Sequence, residues 1–161
     1  MTPELPLHPG LVHLPLGIGL ILPIVLFWLW FYVRKSPDRA RIWWLGVALQ
    51  AMVTATSFAA MQTGEADEHK VEKVVAKAKI HAHEEAAELF AYASVAGLVV
   101  TVAGSFVAPA RLVAALLSIV IIGFGLRAGE KGGELVYIHG AADAHRSGAP
   151  PPTPGAAEDH D

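Results

Sequence analysis

Four long uncharged runs constrain this chain more than any other feature. Leu11–Val33, Ile42–Met61 and Leu89–Pro109 contain no Asp, Glu, Lys or Arg. About 20 apolar residues of helix, each rising about 1.5 Å, cross a hydrocarbon core about 30 Å thick. Lipid offers backbone amides no partner, so a spanning segment must satisfy them internally, as a helix does. The fourth run is shorter. Leu112–Leu126 is uncharged, Arg127 interrupts it, and apolar character resumes at Leu135-Val136-Tyr137-Ile138. It crosses if Arg127 snorkels to an interface or is neutralised by a partner. The apolar share of 53% against 17% charged excludes an ordinary soluble domain and reflects these runs. The expected fold is all-α, an integral membrane four-helix bundle, with crossings at about 11–33, 42–63, 86–108 and 111–130.

A secretory signal peptide is the rival reading of the first run. A basic leader is missing, the run is too long, and no Ala-x-Ala-like site follows, so a retained membrane helix is expected. Arg34, Lys35, Arg39 and Arg41 crowd the first link, and Arg111 lies in the third. The positive-inside rule then gives both ends of the chain outside, with the link between the second and third crossings. Lys70, Lys73, Lys77, Lys79, Arg127, Lys131 and Arg146 run against this count, although seven acidic residues between Glu65 and Glu88 accompany the lysines there. That segment has no Gly or Pro and is rich in Ala, Glu and Lys, which predicts helix. On a helical wheel Val71, Val74, Val75, Ala78 and Ala82 form an apolar stripe. Such an amphipathic extramembrane segment either lies on the bilayer or caps the bundle, or it simply extends the third crossing. Residues 1–146 thus form one transmembrane domain. Residues 147–161, rich in Pro and Gly, form an expected disordered tail.

Composition also removes whole classes of chemistry. A net charge of −3 without a basic block gives no reason to expect nucleic acid. The absence of cysteine excludes disulfides, thiolate zinc, iron–sulfur clusters and covalently attached haem. No nucleophile motif, phosphate loop or zinc-protease string is present, so an autonomous enzyme is not expected.

Eight histidines remain. With four crossings, His8, His13, His69, His81, His83, His139, His145 and His160 all fall on one side of the membrane. The start of the first crossing, the start of the third and the end of the fourth share one face of an antiparallel bundle. Residues far apart in sequence therefore converge by topology. Imidazole is a common ligand for haem iron, copper and zinc. His13 lies just inside the apolar zone, after Pro9 and before Pro15, where it is either paired with headgroups or a neighbouring helix, or ligated. His81 and His83 are about 200° apart on a helix and cannot share a face. The wheel turns His81 inward and His83 toward the charged side. His69, His145 and His160 are expected to be solvated. Arg127 either snorkels or pairs with an anion such as a haem propionate, a quinone oxygen or a buried Glu. Gln50, Thr54 and Ser57 form one polar stripe, and Ala93, Gly97, Thr101 and Ser105 a small-residue seam. Both suit interhelical packing rather than a site.

The string His8-Pro9-Gly10-Leu11-Val12-His13-Leu14-Pro15-Leu16-Gly17, the Thr63-Gly64 and His83-Glu84 pairs, and Gly132-Gly133-Glu134-Leu135-Val136-Tyr137-Ile138-His139-Gly140 carry a resemblance. The chain resembles the bacterial four-helix membrane proteins of the domain-of-unknown-function 2231 family over residues 8–140. That family opens with HPxxVHFPIG and closes with GGxLVYxHG, and Leu14 stands here where it prefers Phe. The resemblance implies that His8, His13, His83 and His139 act as a set, and it favours His83 where the wheel favours His81. Some relatives are joined to cytochrome c-like domains, which tilts expectation toward redox work by analogy alone. The sequence thus leads first to haem b held by paired histidines near the periplasmic face of a bacterial inner membrane, with Arg127 offsetting a propionate. Its expected partners are lipids and a quinone, a periplasmic cytochrome or a larger redox complex. The metal-ligand candidates are His13, His83 and His139, and the alternatives to haem are copper, zinc or no cofactor, the last in a structural subunit of a larger complex.

Overall fold

A computed structural model describes residues 7–145. The proline-rich tail at 147–161 and His160 lie outside the described residues. The chain runs through α1 (Leu7–Leu11), α2 (His13–Lys35), a 3-10 helix (Pro37–Trp43), α3 (Trp44–Val71), α4 (Lys77–Ala103), α5 (Ala108–Tyr137) and a second 3-10 helix (Ala141–His145). Four helical stretches, built around α2 to α5, are long and apolar enough to cross a membrane. Each of these helices packs on two others: α2 on α3 and α5, and α4 on α3 and α5. Short links force sequential neighbours to be antiparallel, so the four close into an up-and-down bundle.

All four helices outrun their apolar stretches. Hydrocarbon sets where a helix must be apolar, but the Ala, Glu and Lys that flank these runs are themselves good helix formers. So α3 continues past Met61 to Val71, α4 starts at Lys77, and α5 passes through Arg127 to Tyr137. The segment expected to be helical over 65–88 is helical on both sides of a turn at 72–76. The turn arises because the valine stripe finds partners within the molecule. Val75, Ile80, Leu135 and Ala141 form a second small core, with Val71 and Val74 packed against it. The apolar stripe therefore caps the bundle, and reversing the chain is what brings Val75 and Ile80 onto α5.

Glu72 fastens that turn, 3.1 Å from Lys77 Nζ and 3.8 Å from His69 Nδ1. The hydrogen bond from Lys77, opposed by desolvation and helped by the charges of Lys77 and His69, holds the Glu72 carboxyl below its ordinary range. A carboxyl depressed by folding stabilises above its unfolded pKa, about 4.3, and loses that contribution as pH falls through the lower folded value. Wild type is therefore expected to melt slightly above Lys77→Met at pH 7. The gap should close as the pH is lowered below about 4 in parallel thermal melts.

The main core lies between the helices, centred on Leu22, Leu26, Leu29, Trp43, Val53, Phe90, Ala115 and Ile121. Outward residues such as Ile24, Val99 and Ile119 are apolar and exposed, as a lipid-facing surface requires. The polar stripe and small-residue seam act in packing as the sequence predicts. Gln50, fully buried, donates from Nε2 to the Ser94 carbonyl at 3.0 Å, and Thr54 Oγ1 donates to the same oxygen at 3.1 Å. Trp43, also buried, donates its indole N–H to the Thr101 carbonyl at 2.8 Å. That oxygen belongs to the last turn of α4, where carbonyls lack helical donors. Arg111 Nε caps Gly104 in the same way at 2.7 Å. Trp43→Phe keeps most of the ring but orphans the Thr101 carbonyl, so a loss of about 1–3 kcal/mol in detergent unfolding is expected. Unchanged stability would show that the indole contributes only its bulk.

Candidate functional site

One end of the bundle gathers α1, the α3–α4 turn, the end of α5 and the second 3-10 helix. There the chain forms an open pocket of about 740 Å³ lined by α1, the end of α3, the start of α4, the end of α5 and the second 3-10 helix. Two imidazoles meet in its wall, with ring centroids 6.0 Å apart and planes at 78°. His8 comes from α1 and His83 from α4.

Each ring is tethered by the backbone of another helix. His8 Nδ1 lies 2.8 Å from the Ala60 carbonyl of α3. His83 Nδ1 lies 3.1 Å from the Ala128 carbonyl of α5. A carbonyl only accepts, so both Nδ1 atoms carry the proton and both Nε2 atoms keep their lone pairs in the neutral rings. Thr63 Oγ1 also stands 3.5 Å from His8 Nδ1. A glycine lies beneath each ring. A Cβ at Gly64 would sit 3.2 Å from His8, and one at Gly132 would sit 3.1 Å from His83 Cε1. Bare backbone at these two positions lets the imidazoles lie against the helices that hold them.

The remaining pocket lining divides into two kinds. Val71, Ile80, Leu135 and Val136 supply apolar surface, while Glu65, Asp67, Glu68, Glu84 and Glu88 supply carboxylates. Glu84 feels the charges of Glu68, Glu88 and Glu65. His81 Nδ1 lies 3.4 Å from its carboxylate. Both free imidazole nitrogens and all the carboxylates are electron-pair donors, so the pocket favours a cationic guest.

The expected histidines separate here. His8 and His83 come together. His81 stands at the pocket rim with 72% of its side chain in solvent. The wheel favoured His81 because its phase was carried from Val71 through to Glu88, and the turn at 72–76 resets that phase. His13 is exposed and turns back to the Pro9 carbonyl, 2.7 Å from its Nδ1. His139 is half-buried just beyond α5, outside the pocket lining. His69 is solvated, with its side chain 98% exposed. Arg127 is exposed on α5 and does not line the pocket. Among the described residues, no three His, Asp or Glu side chains converge as a ready metal-binding group. His13, His83 and His139 are therefore not assembled into one.

The tethering carbonyls were not foreseen, and no residue type announces a main-chain acceptor. The carboxylate wall was legible in principle. Glu65 with Glu68, and Glu84 with Glu88, sit at spacings of three and four, so each pair shares a helix face. Gly140, at φ +72°, is the one positive-φ residue among those described. It ends the α5 segment and turns the chain so that Ala141 closes the pocket.

Gly132→Val is expected to push the His83 ring off its tether while leaving the bundle folded. Loss of the contact between His83 Nδ1 and the Ala128 carbonyl would shift the His83 ring resonances, and unchanged resonances would show that the glycine does not position the ring.

These features define a four-span helical membrane protein with a paired-imidazole pocket at one end of its bundle. The chain belongs to the family described as predicted membrane protein (DUF2231), which it matches over residues 4–145. No curated protein and no solved structure matches it.

Proposed function

We propose that this chain is a metal-binding membrane protein, taking up a divalent transition-metal ion such as copper or zinc at the His8–His83 pair. The observation that carries this reading is the pairing itself: two Nδ1-tethered rings from different helices, 6.0 Å apart. With metal–nitrogen bonds of about 2.1 Å, two imidazoles sharing one ion have centroids about 5–6.5 Å apart, depending on the angle between them. An Nδ1–H donated to a backbone carbonyl fixes the tautomer that presents Nε2. Water would complete the shell, since no third His, Asp or Glu side chain converges on the pair among the described residues. The charge pattern supports an orientation with the pocket outside: the opposite end carries Arg34, Lys35, Arg39 and Arg41. In a bacterial inner membrane that end is the cytoplasmic one and the pocket is periplasmic.

Haem b on the same pair, serving electron transfer with a quinone or periplasmic cytochrome, is the second reading. The apolar part of the pocket and the ring spacing favour it. Its propionates would meet the five carboxylates lining the pocket, and Arg127 does not line it. The donor set therefore suits a bare cation better. The purified full chain, dialysed separately against copper(II), zinc(II) and haemin, decides between them. About one metal ion per chain, without Soret absorption from the haemin sample, supports the proposal. A stable haem spectrum overturns it in favour of the second reading, and failure to bind any of the three overturns both.

A further inference from the structure

At the end of the bundle opposite the pocket, the link between α2 and α3 holds four cations, Arg34, Lys35, Arg39 and Arg41, against the single acid Asp38. All four are exposed. Three of them lie over aromatic rings. The Arg34 guanidinium is 5.6 Å from the Trp30 ring centroid, and Lys35 Nζ is 4.5 Å from that of Phe31. Arg39 is 5.9 Å from the Tyr32 ring and donates to its hydroxyl at 2.6 Å. Around them Trp28, Phe31 and Trp44 are each about half exposed.

Amphipathic rings settle at the headgroup level of a bilayer, and a cation folded onto such a ring is held at that depth. The three ring-held cations therefore stand where lipid phosphates lie, with exposed Arg41 beside them in the same link and apolar rings reaching toward the acyl chains. A zwitterionic headgroup carries its own cation, whereas an anionic one leaves its phosphate uncompensated. Asp38, 3.8 Å from Arg39, offsets one charge at most.

We infer that this link is a binding site for anionic phospholipid headgroups, with Arg34, Lys35, Arg39 and Arg41 contacting the phosphodiester. The site is independent of the pocket. A tenfold preference corresponds to about 1.4 kcal/mol. Native mass spectrometry of the purified full chain, titrated with phosphatidylglycerol or phosphatidylcholine, should show at least about a tenfold preference for the anionic lipid. The preference should weaken as salt is raised. The variant R34Q/K35Q/R39Q/R41Q should bind both lipids equally, and the charge-conserving R34K/R39K/R41K should keep the preference. Equal binding by wild type, a salt-independent preference, loss in the lysine variant or retention in a folded glutamine variant would each overturn the inference. An arm with inorganic phosphate separates the two sources of the same chemistry. Displacement of the bound lipid by free phosphate would make this a soluble-anion site, and persistence of the lipid supports the headgroup.

Discussion

Gly97→Leu is expected to unfold the bundle. Gly97 lies on α4 where α3 and α5 both come close. A Cβ there would run into Ile121 Cδ1 of α5 and stand 3.1 Å from Gln50 Nε2 of α3. A leucine cannot be accommodated by moving one flexible tip, because both neighbours are themselves buried. Overpacking of a tight core costs about 1–3 kcal/mol. Displacing Gln50 also breaks its bond to the Ser94 carbonyl and leaves buried polar atoms unsatisfied, at about another 1–3 kcal/mol. Together these approach the whole stability of a small domain. The variant should fail to give a monodisperse detergent peak or should melt far below wild type. A melting temperature within a degree or two of wild type would contradict the close approach of the three helices.

His83→Ala is expected to lower copper(II) or zinc(II) affinity at least about a hundredfold, more than loss of a second-shell partner does. Of the tethered pair, His83 sits in a long packed helix and is the better fixed. His8 rides on the five-residue α1, so His8→Ala should weaken binding too, but by less. His13→Ala should leave affinity within about threefold, because that ring hydrogen-bonds to Pro9 and does not line the pocket. Calorimetry on the three variants separates these outcomes. Equal losses at His13 and His83 would point to a different ligand set. Because neither ring belongs to the main core, circular dichroism should show near wild-type helicity in all three.

Much of the architecture was legible because lipid imposes a local rule. A run such as Leu11–Val33 announces a spanning helix without reference to any other residue. Gln50, Thr54, Gly97 and Thr101 were legible as packing positions by the same token, since polar and small residues in a membrane helix face other helices. The turn at 72–76 was not. Its sequence contains no Gly or Pro, and what breaks the helix there is the burial of Val75 and Ile80 against Leu135 and Ala141, which lie far along the chain.

The site divides in the same way. Four crossings alone brought His8, His81, His83 and His139 to one end, since parity of crossings is a property of the sequence. Which of them meet depended on helical phase and on backbone. The turn reset the phase that had favoured His81, and the carbonyls of Ala60 and Ala128 fixed the two rings that do meet. By itself the sequence determined a four-span α-helical membrane protein with His8, His81, His83 and His139 at one end, because hydrophobic length acts within each segment. Only the tertiary structure chose the pair His8 and His83, because that choice rests on contacts between helices no single segment contains.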